Sequence, residues 1–106
     1  SALLARLAAL VRRLVVPDAP DETLFERVAE TVRFLEREDL RADELPLVEA
    51  IGIARILFLL GYLDAGRPET AVAAESGWER NFLPTFAPVR AVLVSLINQA
   101  LAASHL

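Results

Sequence analysis

Between Leu47 and Leu60 the chain places apolar side chains on nearly every side of a helical turn, with Glu49 and Arg55 as the only charges. A helix apolar all round has no wet face and must be surrounded by other elements. The fold therefore has to be a helical assembly with this segment at its centre. Its most apolar run, Ile51 to Leu60, is interrupted by Arg55 and is shorter than the roughly 20 residues a bilayer span needs, so no membrane-spanning stretch is expected.

The rest of the chain supplies partners of the same period. Residues 2–15 read as a first helix, with Leu3, Leu7, Leu10 and Leu14 on one stripe and Leu4 and Val11 beside it. Val16-Pro17 ends it, since the residue before a proline is pushed out of the helical region. A second helix is expected from about Pro20 to Arg37, with Asp18 as a helix-capping residue and Leu24, Phe25, Val28, Val32 and Leu35 facing the core. The third should start near Asp43, tolerate Pro46 in its first turn and stop at Gly61; Gly52 would allow a close crossing. The last should run from Pro88 to about Ser104 with Val89, Val92, Leu93, Leu96, Ile97, Ala100 and Leu101 inward. Between them, residues 64–87 carry Gly66, Pro68, Gly77 and Pro84 and have room for only a short helix from Glu69 to Glu75. Trp78, Phe82 and Phe86 indicate that this connection packs against something.

No segment alternates with the period of a strand. The expected fold class is all-α: a small antiparallel bundle of about four main helices plus a short helix in the 64–87 connection. The 106 residues form a single domain.

Charge is unevenly spread. Residues 1–17 carry +3 and residues 18–49 carry −7, the remainder balances, and the net charge is −4. Every positive side chain is Arg, which a GC-rich coding sequence also produces. The absence of cysteine removes disulfides, thiolate metal sites and cysteine nucleophiles together. With no secretion signal, the expected location is the cytoplasm.

Chemistry finds little to use. His105 is the single histidine, one residue from the end, and with no acid near it in sequence it reads as an ordinary surface residue. The carboxylates Glu36, Glu38, Asp39, Asp43 and Glu44 lack the glycine turn and alternating spacing of a calcium loop, and read as a solvated turn. Glu49 and Arg55 share one broad side of the third helix and read as a structural ion pair or as two groups reaching solvent. The glycines stand singly, so no phosphate loop exists. No catalytic residue, metal ligand or cofactor is expected. Only the wet face of the first helix, with Arg6, Arg12 and Arg13, offers a candidate partner-binding site, for phosphate or an acidic peptide.

Three stretches carry a family resemblance. They are Pro17-Asp18-Ala19-Pro20-Asp21-Glu22-Thr23-Leu24-Phe25 continuing to Phe34-Leu35; Ile56-Leu57-Phe58-Leu59-Leu60-Gly61-Tyr62; and Leu96-Ile97-Asn98-Gln99-Ala100-Leu101 with the closing Ser104-His105-Leu106. Together and in this order they resemble the C-terminal helical domain of the RecO family, bacterial mediators of recombinational DNA repair. The resemblance implies a parent protein that anneals single-stranded DNA beside a RecR-type protein and single-stranded-DNA-binding protein. It would contact DNA through an N-terminal OB-fold, which no part of this chain resembles; the chain would be the C-terminal part of a longer protein. Many members carry a four-cysteine zinc site after the Gly-Tyr segment, where residues 64–87 here have no cysteine. The other reading is an unrelated helical interaction or dimerisation domain, such as the effector-binding bundle of a transcription regulator.

Overall fold

The computed structural model describes residues 9, 12 and 22–103, and among them the fold is all-helical, without a strand. Three long helices dominate: α1, Glu22–Arg37; α2, Leu45–Leu59; and α4, Arg90–Ala103. A one-turn helix, α3, spans Leu83–Phe86. Apart from helical Ala9 and Arg12, the first helix read from the sequence lies outside the described residues.

α2 is the centre. It buries Leu47, Val48, Ala50, Ile51, Gly52, Ala54, Arg55, Ile56 and Leu57, and it packs against α1, α4, α3 and a 3₁₀ turn at Ala71–Ala74. Glu44 occupies its N-cap position and Pro46 lies in the first turn, where a missing N–H costs no helical hydrogen bond. At the other end Gly61 takes φ +82°. Its N–H donates to the Phe58 carbonyl at 3.1 Å, and that of Tyr62 donates to the Leu57 carbonyl at 2.8 Å. This pair of bonds is the Schellman ending, which satisfies carbonyls that the helix leaves open.

α1 faces the core differently from the expectation. Leu24, Thr31 and Phe34 are buried and Val28 and Leu35 pack beside them, whereas Phe25 is 54% exposed. The buried line follows the spacing 24, 28, 31, 34–35, and Phe25 stands about 100° round the helix from Leu24. Thr31 enters this line without a polar cost, because its hydroxyl donates to the Arg27 carbonyl at 2.9 Å.

Two corrections concern the connection. The stretch expected to form a short helix from Glu69 to Glu75 is a single 3₁₀ turn, which inserts Val72 and Ala73 against α2. The last helix does not begin at Pro88. Helical geometry starts at Arg80 and runs through Arg80–Phe82, α3 and Ala87–Val89 into α4, alternating 3₁₀ and α turns. Pro84 and Pro88 each occupy an early position of a short turn, so each missing N–H falls where the hydrogen-bond pattern changes.

The resulting path, Arg80–Ala103, is 24 residues long, and its most apolar window has a mean hydropathy of 1.5. By length and composition alone it is apolar enough to cross a membrane, contrary to the expectation that no stretch qualifies. Only Leu93 and Ile97 of α4 are fully inside; Val92 is exposed, and Leu96, Ala100 and Leu101 are partly covered.

Candidate functional site

The basic face read from the sequence is represented among the described residues by Arg12 alone, which is helical and exposed. Arg6 and Arg13 lie outside the described residues, as does His105. The structure instead brings together two polar clusters that the sequence did not single out as sites.

The first is built on Arg55, which is only 2% exposed in the middle of α2. It neither reaches solvent nor needs Glu49 as its anchor. Its Nε donates to the Val72 carbonyl at 3.2 Å and an NH group donates to the Gly77 carbonyl at 2.6 Å. The guanidinium lies over the Trp78 ring, 4.7 Å from the centroid, a favourable arrangement for a desolvated cation. Burial lowers the Arg55 pKa, and the fields of Glu75 and Glu30 oppose that shift.

Around this cation the loop aromatics form a ladder. Trp78 stacks on Phe34 with centroids 5.0 Å apart and on Phe82 at 6.1 Å, and Phe86 meets Phe82 edge-on at 5.8 Å. Arg37 adds a second hold: its guanidinium lies over Phe34 at 5.4 Å and donates to the Trp78 carbonyl at 3.0 Å. Two arginines thus fasten one loop. An open cleft of about 350 Å³ beside the ladder is lined by Glu30, Arg33, Phe34, Arg37, Gly77 and Trp78.

The second cluster joins the start of α2 to the start of the last helical path. Glu44 is 5% exposed and accepts from Arg80 through both carboxylate oxygens, at 2.7 and 3.0 Å. The Arg41 backbone N–H adds a third bond at 2.8 Å. The Arg80 hydrogen bonds, helped by the Arg41 amide, hold the Glu44 carboxyl down at about 2, against a burial effect that acts the other way. Arg80 is correspondingly raised by Glu44. Neighbouring Asp43 takes the Arg41 Nε at 3.0 Å.

Beside this clasp lies a cleft of about 390 Å³. Leu47 of α2, Leu83 and Pro84 of α3, and Ala87 give it an apolar lining, which Arg41 and Arg90 share. The Arg90 Nε is buried and has no hydrogen-bond partner among the described residues.

In the acidic segment 36–44, Asp43 and Glu44 are paired with arginines and Glu38 lies 3.7 Å from Arg37; among the described residues no group of three metal-ligating side chains converges. Arg80 was the legible half of this clasp only as a charge; nothing local ties it to a carboxylate 36 residues earlier.

Comparison of the chain with protein-family models, with curated proteins and with solved structures finds no match.

Proposed function

We propose that this chain is a non-catalytic helical domain that serves as scaffold and protein-interaction surface, in the manner of the C-terminal domain of a RecO-like recombination mediator. The observation that carries the non-catalytic part is how the clustered charges are used. Arg55 is committed to two backbone carbonyls and an aromatic ring, and Glu44 to a bidentate arginine and a backbone amide. Both clusters fasten segments to one another, and neither leaves a nucleophile and a base within reach of a substrate.

The repair reading is supported by the resemblance of three sequence stretches, one of which, Ile56 to Tyr62, is the end of α2 and its glycine stop. In this reading residues 2–15 complete a small antiparallel bundle of four helices, and Arg6, Arg12 and Arg13 point to an acidic partner. That partner is the acidic, apolar tail of a single-stranded-DNA-binding protein, with a RecR-type protein as the second. DNA would be held by an N-terminal OB-fold, and the work would be cytoplasmic. The alternative, an effector-binding bundle of a transcription regulator, is favoured by one feature, the cleft of about 390 Å³ with an apolar lining.

Titration with a labelled acidic, apolar peptide at physiological salt tests the mediator reading. Saturable binding that weakens about tenfold or more when Arg6, Arg12 and Arg13 are all changed to Glu is the expected result. No binding, or binding indifferent to the triple change, would remove it.

A further inference from the structure

The cleft between the start of α2 and α3 combines an apolar lining with a charge left over. Four charged residues border it. Glu44 is saturated by Arg80 and the Arg41 amide, and Asp43 takes the Arg41 Nε. Arg90 remains, with no ion pair or hydrogen bond among the described residues and with its Nε buried. A buried N–H donor without an acceptor is costly, and more so when charged. The same cleft has an apolar lining: Leu47 and Leu83, which are buried, with Pro84 and Ala87.

A ligand that repairs both defects needs an anionic head with planar acceptor geometry and an apolar body. A carboxylate matches the guanidinium fork, which donates two parallel hydrogen bonds. The volume of about 390 Å³ lies at the small end of the range of roughly 300–1,000 Å³ typical of small-molecule sites. We propose that this cleft binds a small organic carboxylate with an aryl or branched-alkyl body, its head on Arg90 and its body over Leu47, Leu83 and Pro84. Arg41, exposed and with terminal NH groups not used on Asp43, supplies a second donor. The proposal does not rest on the mediator reading; a protein-interaction domain and an effector domain could each carry such a site.

The test uses the whole 106-residue chain and phenylacetate, with phenylacetamide and inorganic phosphate as comparisons. Amide NMR shifts should saturate with phenylacetate and be largest at Leu47, Leu83, Ala87 and Arg90. Phenylacetamide, which lacks the charge, and phosphate, which lacks the body, should each bind about tenfold more weakly or worse. Arg90→Gln should weaken phenylacetate by about tenfold with the helical signal retained, and Arg90→Lys by less. Ala87→Leu, a change at an exposed position that narrows the cleft, should block binding and serves if the Arg90 variants fail to fold. Equal binding of acid and amide, phosphate binding as tight as phenylacetate, or no saturable shift by about 10 mM would overturn the proposal. So would phenylacetate binding unchanged in the Gln variant or in the Ala87→Leu protein.

Discussion

Among the described residues, the fold shifts the chemistry of Glu44 through its arginine partner and of Arg55 through burial. The Glu44 carboxyl drops from an ordinary 4.5 to about 2, first through the Arg80 hydrogen bonds. A group whose pKa falls on folding stabilises the folded state fully above its unfolded value and loses that contribution as pH falls toward the folded value. The clasp should therefore hold at neutral pH and fail between about 4.5 and 2. Glu44→Gln should lower the melting temperature at pH 7 and flatten its decline across that window, and identical acid limbs in the two proteins would refute the assignment. Arg55→Met tests the other cluster. The thioether fills similar space but leaves the Val72 and Gly77 carbonyls without their donor, an expected loss of about 1–3 kcal/mol. Because Trp78 is the single tryptophan and lies against this guanidinium, its fluorescence should shift to the red in the variant. An unchanged spectrum would mean that the ladder holds the loop without the cation.

At the scale of elements, burial on all sides made α2 readable from the sequence, and it predicts where damage is greatest. Leu57 is fully buried, so Leu57→Ala should cost about 2–5 kcal/mol in denaturant unfolding. Phe58, next to it, is only partly buried and should lose less, about 1–2 kcal/mol; a reversed order would place the core on the wrong side of the helix. The last helical path was not readable in the same way. Pro84 and Pro88 look like breaks, and the local pattern cannot say that each would fall where 3₁₀ and α turns meet. The exact face of α1 was also hidden, because Leu24 and Phe25 are equally apolar and only packing on α2 decides between them. The two clasps were the least legible, since each joins residues 17 to 41 positions apart. Arg55 was visible as an anomaly in an apolar helix, but its partners are backbone carbonyls, which carry no side-chain signature. Gly77 was visible only as punctuation. Its φ of +85° is what turns its carbonyl toward Arg55, and nothing crowds an added Cβ. Gly77→Ala should therefore cost about 1–2 kcal/mol from backbone strain alone.

For the whole molecule, charge decides what the surface can hold. The net charge is −4, and residues 18–49 carry −7 of it, so the long-range field opposes a polyanion such as DNA. The arginines of the described residues do little to reverse this: Arg27, Arg37, Arg41, Arg67 and Arg80 each lie within ion-pair distance of a carboxylate, and Arg55 is buried. Among the described residues this leaves Arg12, Arg33 and Arg90. Neutralising about three phosphates through Arg6, Arg12 and Arg13 would give a log–log salt slope near −2 for single strands, at roughly −0.7 per phosphate. Binding of that kind fades as salt rises from low to physiological concentration. The expected outcome of an anisotropy titration with a labelled single-stranded oligonucleotide is weak association at low salt and none resolvable at physiological salt. An acidic peptide carries fewer charges and meets less of the opposing field, so its binding should survive the same change of salt. Tight, salt-resistant DNA binding would require a larger cationic surface than the three arginines of residues 1–17 supply, and it would overturn the proposal that this domain holds proteins.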